Sequence, residues 1–370
     1  MCTNTEIVRM MVQQYASDNV SAFEAKDIAQ WISFGPIIFQ SARVLRNSGI
    51  LQTIENAGQD GISLEAIVEK LALPHYGVRV LLESGLGLGL LHLKECKYHI
   101  SKTGFYILHD DLTRVNMDFV HDVCYKGMYN LDRSIETGKP EGLSVLGNWN
   151  TIYEGLSQLP AHIQKSWFAF DHFFSDMAFG KVLKLVLEAD PKKVLDIGGN
   201  TGKWATAATR TKPGLHVTMV DLPGQLEMAR KKIEAEGLLD QVSFYPVNIL
   251  DPKQGFPKGH DTIFMSQFLD CFSEDEIVSI LNRCYDALEA DGHVFILEAF
   301  WDLQKFETAS FCLQQTSLYF TCLANGNSQM YDSKVFLKCV DKAGFEIIKQ
   351  TDNIGLSHTL LQCRKKSVKD

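Results

Sequence analysis

The sequence lacks the features that mark membrane-spanning, nucleic-acid-binding and disulfide-stabilised proteins. None of its apolar runs reaches the roughly 20 residues of a transmembrane helix, and its first residues do not form a secretory signal. Acidic residues outnumber basic ones by 45 to 36, and the net charge of −9 argues against binding to nucleic acid or an anionic membrane surface. The nine cysteines form no Cys-x-x-Cys pair, which argues against a zinc site or a disulfide framework. We therefore expect a cytoplasmic protein with reduced thiols and no metal, nucleic-acid or membrane partner.

The chain does have the length and apolar content for two domains with large cores. It contains 370 residues, of which 45% are hydrophobic and 22% are charged, as in ordinary globular proteins. The order of the sequence patterns predicts a helical domain over 1–105, a helical connector over 106–185 and an α/β domain over 186–370.

The N-terminal part predicts helices followed by a short hairpin. Apolar residues recur at helical intervals over 23–49, Ser63 is a plausible N-cap for a second helix, and residues 78–85 predict a third. Alternating segments on either side of Glu95 and Cys96 indicate a hairpin wing. A winged-helix unit of this kind can bind DNA, but its basic and acidic residues are nearly balanced and form no basic stripe. DNA binding is therefore disfavoured.

From residue 190 onward, strand and helix patterns alternate regularly, which predicts a parallel sheet. Strands are expected at 193–197, 216–220, 242–247, 261–267 and 293–298. A final pair of strands is expected at 345–352 and 358–364, joined as an antiparallel hairpin.

The most informative segment is VLDIGGNTGK at residues 194–203. Its apolar run ends at Asp196 and predicts a buried strand, and the small residues that follow predict a tight turn. Open α/β sheets bind their ligands at such turns, outside the carboxyl ends of the strands. The glycines Gly198, Gly199 and Gly202 would let a ligand approach the backbone closely.

The spacing of these glycines argues against the two commonest phosphate-binding motifs. A dinucleotide fingerprint that starts at Gly198 needs two further glycines where the chain has Asn200 and Lys203, and a P-loop needs a Gly-Lys-Ser/Thr ending that is missing. The next predicted strand ends at Asp221, a position from which a carboxylate can bind both hydroxyls of a ribose. A nucleoside without a pyrophosphate therefore fits best, and S-adenosylmethionine is such a cofactor.

Four segments occur in order along the chain: VLDIGGNTG, VTMVDLPGQLEMAR, DTIFMSQFLD and GHVFILEAF. They resemble the S-adenosylmethionine-dependent small-molecule O-methyltransferases that act on plant phenylpropanoids and bacterial aromatic polyketides. The resemblance covers nearly the whole chain and implies an α/β fold. That fold is a Rossmann-like class I methyltransferase sheet of seven strands with a terminal antiparallel hairpin, plus a mainly α-helical N-terminal winged-helix dimerisation domain. It also implies a homodimer that acts on a small aromatic substrate.

The resemblance implies a set of cofactor contacts at the ends of the strands. Asp196 would fix the turn and approach the methionine amino group, or act only as a structural acid. Asp221 would bind the ribose, with a helix N-terminal acid as the alternative. Asn248 stands where the family has an acid facing the adenine, and its amide oxygen can accept the same hydrogen bond. The full predicted cofactor set is Asp196, Gly198, Gly199, Asn200, Gly202, Asp221, Leu222, Asn248, Ile249, Ser266 and Gln267.

The predicted catalytic residues depart from the family pattern. After the fourth strand the family typically has Leu-His-Asp-Trp, with the histidine as general base, whereas this chain has Leu-Asp-Cys-Phe at 269–272. Asp270 thus becomes the expected base, and burial would raise its pKa toward a useful value. Alternatively, Asp270 orients the substrate and the base lies elsewhere, with His172 and His121 in reserve. Glu298 matches a family acid that flanks the base.

Three further features concern the molecule that would receive the methyl group, here called the acceptor, and its pocket. A nucleophilic Cys271 is disfavoured because the motif supplies no histidine partner. Met330 and Tyr319 are expected to line the acceptor pocket. Aromatic side chains crowd the connector and predict either a helical core or a flat apolar pocket: Trp149, Tyr153, Trp167, Phe168, Phe170, Phe173, Phe174 and Phe179.

The predicted reaction is methylation of a hydroxyl group on an aromatic small molecule. Methylation of a ring carbon next to such a hydroxyl is a close variant, because the same deprotonation activates that carbon. A non-methylating relative of the fold that catalyses hydroxylation or decarboxylation is a second alternative. A ligand-sensing winged-helix regulator is a third, which the charge balance disfavours.

Overall fold

The computed structural model describes residue 15 and residues 17–367, and it divides the chain into two compact units. One unit comprises Ser17–His121, and the larger one starts its main segment at Asp122. In the part of the chain that is described, no helix combines the length and the apolar character that crossing a membrane requires. The predicted domain limits at 105 and 185 remain predictions.

The N-terminal unit consists of six helices and a hairpin among its described residues. They are α1 (Ala22–Asn47), α2 (Ile50–Asn56), α3 (Leu64–Leu71), α4 (His75–Gly87), β1 (Leu91–Lys94), β2 (Lys97–Ile100), α5 (Lys102–His109) and α6 (Asp111–Phe119). Ser63 caps α3 as predicted, since its side chain accepts a hydrogen bond from the Ala66 amide. Glu95 and Cys96 have φ values of 50° and 60°, as the two central residues of a tight hairpin turn require. The predicted wing is therefore confirmed.

The core of this unit is built from the apolar faces of its helices. Fully buried side chains come from the end of α1 and from the helices after it, as their periodicity predicts: Leu45, Ile50, Leu51, Ile54, Ile67 and Leu82. The first half of α1 is different, because Phe23, Ile32 and Ile37 are 84%, 72% and 65% exposed. The unit thus leaves a large apolar helix face uncovered within a single chain.

The larger unit contains a seven-stranded sheet and its flanking helices. Its helices are α7 (Leu131–Thr137), α8 (Ile152–Gly155), α9 (Ala161–Leu187), α10 (Lys203–Thr211), α11 (Pro223–Ala235), α12 (Glu274–Ala287), α13 (Glu307–Tyr319) and α14 (Ser333–Lys342). Its strands are β3 (Lys193–Ile197), β4 (His216–Asp221), β5 (Val242–Pro246), β6 (His260–Ser266), β7 (Leu288–Ala299), β8 (Phe345–Ile354) and β9 (His358–Lys365). All seven strands expected from the sequence are present.

The strands are ordered β5-β4-β3-β6-β7-β9-β8 across the sheet. The first five are parallel, and β9 pairs antiparallel with both β7 and β8, so the predicted terminal hairpin is confirmed. The chain leaves β3 toward β4 on one side and returns to β6 on the other. This reversal is the topological switch point, where such sheets form a ligand crevice outside the carboxyl ends of the strands.

Both faces of the sheet are covered, which explains the nearly continuous apolar strands. Neighbouring residues of β6 point to opposite faces: Ile263 belongs to the core that includes α12 and α14, and Phe264 belongs to the core that includes α9, α10 and α11. The strands are therefore rigidly held, and the loops at their carboxyl ends are fixed in position relative to one another.

Candidate functional site

The turn after β3 has a backbone that only particular residues can adopt. Gly198 and Gly202 have φ values of 75° and 77°, and Asn200 has a φ of 48°. Asparagine is one of the few side chains that tolerate this left-handed region, so the replacement of a more usual glycine is physically mild. A β-carbon at Gly198 would overlap the ring of Phe268, and one at Gly199 would lie 2.8 Å from Asp196 Oδ2. The small residues thus permit a close approach to this turn.

A cleft lies against this turn within the larger unit. Of the predicted residues, it brings together His172, Asp196, Gly198, Gly199, Asn200, Ser266 and Gln267. Residues that the sequence interpretation did not single out complete the lining: Asp171, Ser175, Thr201, Lys203, Trp204 and Phe264. Phe179, one of the predicted aromatic cluster, also lines it.

Two buried acids stand behind the turn. Asp196 is only 3% exposed, and burial together with the neighbouring Asp221 carboxylate raises its pKa to about 8. Asp221 accepts hydrogen bonds from the backbone amides of Asn200 (2.9 Å) and Leu222 (2.7 Å). Burial raises the pKa of Asp221 to about 6, although these two amides favour its charged form. Asp221 therefore ties the glycine turn to the end of the adjacent strand β4.

The cleft carries buried polar atoms that have no hydrogen-bond partner. Among the lining residues these include Asp196 Oδ2, Asn200 Oδ1, Gln267 Oε1 and Ser266 Oγ. Buried polar groups in folded proteins are nearly always paired, so such a concentration indicates a site built for a polar ligand. Two of these four atoms, the amide oxygens of Asn200 and Gln267, can only accept hydrogen bonds, and Asp196 becomes a third acceptor when it is ionised, which suits a ligand with an ammonium group. These hydrogen-bond acceptors therefore fit S-adenosylmethionine, whose amino-acid end carries an ammonium group.

The remaining predicted cofactor residues lie outside the lining of this cleft. Gly202 forms the N-cap of α10, and Leu222 forms that of α11. Asn248 is exposed, and its Oδ1 accepts a hydrogen bond from the Leu250 amide at 3.1 Å, so one of its two lone pairs is already engaged. Ile249 is buried in the core, and its carbonyl accepts a hydrogen bond from Arg283 at 2.6 Å. The cofactor roles of these residues remain predictions.

Asp270 lies in the helical turn that follows β6, Leu269–Cys271. It is 6% exposed, and burial raises the pKa of its carboxyl to about 6. Its Oδ1 accepts a hydrogen bond from the Cys271 thiol at 3.4 Å. Ser273 and Glu276 form a capping box at the start of α12, so the backbone that follows this turn is regular. A carboxyl with a pKa near 6 can accept a proton at neutral pH and is still basic enough to be useful.

Glu298 holds the turn that carries Asp270. It is 1% exposed at the end of β7, and its Oε1 accepts the backbone N–H groups of Phe268 (3.0 Å) and Leu269 (2.7 Å). Burial and the nearby Asp270 raise its pKa well above the ordinary value. Its second oxygen, Oε2, has no hydrogen-bond partner. Glu298 therefore positions the turn and adds a buried acid beside Asp270.

Asp171 on α9 is the functional candidate that sequence reasoning missed. It lines the cleft, accepts a hydrogen bond from Asn200 Nδ2 at 3.3 Å, and has its pKa raised to about 7 by burial and by Asp270. The available signal was an acid inside a strongly aromatic helix, in which Asp171 and Asp176 are the two acids. Its neighbour His172 also lines the cleft, but burial lowers its pKa to about 4, which makes it a weak base.

The other reserve residues have different surroundings. His121 belongs to the N-terminal unit, where its Nδ1 lies 3.1 Å from Gln40 Nε2. Burial and the Asp270 carboxylate raise the pKa of the Cys271 thiol, which is the opposite of what an activated nucleophile needs.

Part of the predicted aromatic cluster gathers near Asp270. The hydroxyl of Tyr153 is buried within hydrogen-bonding reach of the Cys271 thiol and electrostatically close to Asp270. Trp167 donates its indole N–H to the Tyr319 hydroxyl at 2.8 Å, and Tyr319 is electrostatically close to Asp171. Met330 is buried as well. The hydroxyls of Tyr153 and Tyr319 are thus electrostatically close to Asp270 and Asp171, respectively.

Comparisons with known proteins agree with this architecture. The family model of the O-methyltransferase domain matches residues 172–346, and that of the Dimerisation2-like domain matches residues 26–98. L-tyrosine C(3)-methyltransferase of Streptomyces lavendulae is 24% identical over 319 residues, which cover 85% of each chain. The 3-hydroxy-5-methyl-1-naphthoate 3-O-methyltransferase of Streptomyces sahachiroi is 25% identical over 241 residues, which are 64% of this chain and 67% of that relative. The crystal structure of the S-adenosylmethionine-dependent methyltransferase SibL has a TM-score of 0.69 at 25% identity, covering 91% of this chain and 98% of that one.

Proposed function

Because the chain belongs to the S-adenosylmethionine-dependent O-methyltransferase family, we propose that it transfers a methyl group from this cofactor to a hydroxyl of an aromatic small molecule. The observation that carries the proposal is the juxtaposition of two turns. The glycine turn after β3 and the Asp270 turn after β6 lie on directly paired strands. A cofactor held at the first turn would therefore be beside an acid and an aromatic pocket at the second.

The cofactor would be held by its amino-acid end and its ribose. Asp196 and Asn200 offer unpartnered oxygens for the ammonium group, and Asp221 offers a carboxylate at the end of β4 for the ribose hydroxyls. Bound S-adenosylmethionine supplies a methyl group on a positively charged sulfur, which a nucleophilic oxygen can attack in line. The buried acids of the site favour a cationic ligand, because each is costly to ionise alone.

Asp270 is the proposed general base. Its ionised carboxylate takes the proton of the phenolic hydroxyl, so that the oxygen can attack the methyl group. Glu298 fixes the backbone on which Asp270 sits, through two hydrogen bonds to that turn. Holding the acceptor oxygen at attack distance supplies much of the acceleration in such a displacement, and the surrounding aromatic side chains would do this.

Methylation of a ring carbon is the second candidate, and a specific comparison favours it. The relative that shares 85% of its length with this chain is named as a C(3)-methyltransferase of tyrosine. The same deprotonation by Asp270 would place negative charge on the ring carbons next to the phenolate oxygen. Carbon attack then forms a C–CH₃ bond, and loss of the ring proton restores aromaticity.

One labelling experiment separates these reactions. The purified protein is incubated with S-adenosylmethionine carrying a ¹³C-methyl group and a panel of phenols, naphthols and tyrosine. Methoxy and aryl-methyl carbons have well-separated NMR shifts, so the product spectrum distinguishes oxygen from carbon transfer. Retention of unmethylated acceptor throughout, with normal binding of S-adenosylhomocysteine, would instead indicate a non-methylating member of the fold. Absence of S-adenosylhomocysteine binding in calorimetry would refute the proposal altogether.

We also propose a homodimer formed through the N-terminal unit, and a cytoplasmic location. The dimer is supported by the Dimerisation2-like match and by the exposed apolar side chains of α1, Phe23, Ile32 and Ile37. The location is supported by the eight cysteines of the described residues, all of which are free thiols.

A further inference from the structure

Trp204 is an unusual residue for the lining of a polar cleft. It is only 3% exposed, and its ring stacks on Phe264 of the central strand β6, with ring centroids 4.2 Å apart and an angle of 21° between the planes. Its indole Nε1 is buried and has no acceptor, although the residue lines the cleft. A buried indole N–H normally finds a partner, so this donor points to a ligand group.

The position of Trp204 in its helix adds to this. It is the second residue of α10, whose N-cap is Gly202 and whose N-terminus has no side-chain cap. The first amide groups of a helix have no intrahelical partner, and together with the helix dipole they favour an anion. Lys203, the first residue of α10, also lines the cleft and carries positive charge, although its amine is paired with Asp176 at 2.8 Å.

The unpartnered atoms of the cleft differ in what they can bind. Asn200 Oδ1 and Gln267 Oε1 accept hydrogen bonds, as does Asp196 Oδ2 when a cationic group ionises the carboxyl, whereas the Trp204 indole can only donate. The amino-acid end of S-adenosylmethionine carries two charged groups of opposite character, an ammonium that only donates and a carboxylate that only accepts. The acceptors match the ammonium, and the indole beside the uncapped helix N-terminus matches the carboxylate.

We propose that Trp204 binds the carboxylate of S-adenosylmethionine through its indole N–H, at the N-terminus of α10. This inference rests on the proposed function, since it assigns one group of that cofactor to one residue. Trp204 is thus a cofactor-binding residue as well as a packing residue. Its stacking on Phe264 fixes the direction of the N–H, so little conformational entropy is lost when the carboxylate binds.

The test compares two cofactors that differ only in the carboxylate. Calorimetry measures the binding of S-adenosylmethionine and of decarboxylated S-adenosylmethionine to the wild type, to Trp204→Phe and to Trp149→Phe. The first substitution keeps an aromatic ring that can stack on Phe264, and it removes the indole N–H donor together with part of the ring. The second is a matched control, because the Trp149 ring packs against Gly155 and does not line the cleft. We expect Trp204→Phe to lose about tenfold or more in affinity for S-adenosylmethionine and to bind the decarboxylated form as the wild type does.

Two results would overturn the inference. If Trp204→Phe loses the same affinity for both cofactors, Trp204 has only a packing role. If Trp204→Phe binds both cofactors as tightly as the wild type does, the indole makes no contact with the ligand. If the wild type itself bound neither cofactor, the proposed function would fail, which is a different outcome from either of these.

A measurement on the wild type covers the case in which Trp204→Phe does not fold. The chain has five tryptophans, so a ¹⁵N spectrum shows five indole N–H signals. One of them should move downfield with S-adenosylmethionine and remain in place with the decarboxylated form. No signal with this selectivity would contradict the inference.

Discussion

Glu298 Oε1 accepts a hydrogen bond of 2.7 Å from the backbone N–H of Leu269, the residue directly before Asp270. Leu269 follows β6, and Glu298 lies near the end of β7, the neighbouring parallel strand that pairs with β6 in register up to Ser266 and Leu297. The acid at the end of one strand thus fixes the turn at the end of the next. This explains how the chain can carry an aspartate where the resembling family has a histidine while the backbone of the turn stays ordered.

Glutamine and alanine at position 298 should behave very differently. In Glu298→Gln the amide oxygen can still accept the N–H groups of Phe268 and Leu269, so we expect near-normal stability and a moderate loss of kcat. In Glu298→Ala both buried N–H groups lose their acceptor, and we expect a loss of about 2–5 kcal/mol in the free energy of unfolding. Urea denaturation of the two variants measures this difference. Equal stabilities would show that Glu298 does not hold the turn.

Asp270→Asn should remove both the base and its pH dependence. The pKa of Asp270 is raised to about 6, and the base must be ionised, so kcat/KM of the wild type should rise with pH through about 6 and then level off. In Asp270→Asn we expect a loss of about 10²–10⁴-fold in kcat and no rising limb at that pH.

Asp302→Asn is the matched control for that substitution. Asp302 is another buried acid, but it accepts hydrogen bonds from the Ser333 amide and hydroxyl, far along the chain from the Asp270 turn. The Asp302→Asn variant should be less stable than the wild type, and its kcat/KM should still rise with pH through about 6. Full turnover by Asp270→Asn would show that the base lies elsewhere.

The order and the type of the strands and helices in the sheet could be predicted from the sequence. The strands of the larger unit are buried on both faces, so their apolar runs stand out between polar helices. The hairpin wing was equally clear, because Glu95 and Cys96 interrupt two short alternating segments. Helix bounds were harder: the predicted helix at 78–85 is observed as His75–Gly87, since Gly77, Gly85 and Gly87 weaken the helical signal in its first and last turns.

The site was predicted mainly from continuous sequence motifs, and His172 and Phe179 of α9 are the predicted cleft residues outside them. The glycine turn and the Asp270 turn are continuous motifs and were found directly. Asp171 and Trp204 reach the cleft from α9 and α10, and their orientation depends on helix packing that a linear pattern does not encode. Likewise, the pairing of Asn248 Oδ1 with the Leu250 amide is a property of a folded turn.

Gly198→Ala should impair cofactor binding at the turn. The residue has a φ of 75°, and its added methyl group would overlap the Phe268 ring, so the turn must shift. A left-handed non-glycine residue alone costs about 1–2 kcal/mol. We expect at least a tenfold loss in affinity for S-adenosylhomocysteine, measured by calorimetry. Gly224→Ala is the control, because a β-carbon there meets no neighbouring atom, and its affinity should equal that of the wild type.

The proposed dimer predicts a charge-sensitive interface on α1. Ile32→Glu places a charge in the exposed apolar face, and we expect the protein to sediment as a monomer while its larger unit still binds S-adenosylhomocysteine. Lys26→Glu changes charge on the same exposed helix without altering an apolar side chain, so it should remain dimeric. Analytical ultracentrifugation measures the oligomeric state of the wild type and of both variants. A monomeric wild type would contradict the proposal.

Asp196→Asn should change how stability depends on pH. The folded protein keeps the Asp196 proton up to a pKa of about 8, whereas an unfolded chain loses it above a pKa of about 3.9. Between these values the folded state binds the extra proton, so the free energy of unfolding should fall as pH rises, at up to about 1.4 kcal/mol per unit. Asparagine does not titrate, which removes this contribution.

We therefore expect Asp196→Asn to be more stable relative to the wild type at pH 8 than at pH 5, and to bind S-adenosylmethionine more weakly. Urea unfolding across this range measures the first effect, and calorimetry measures the second. Asp221→Asn provides the comparison, because its pKa of about 6 confines the same effect to the acidic half of the range. Parallel stability curves for the wild type and Asp196→Asn would show that Asp196 is ionised in the folded protein. If both effects occur, the turn retains a destabilising buried acid because it binds the cofactor.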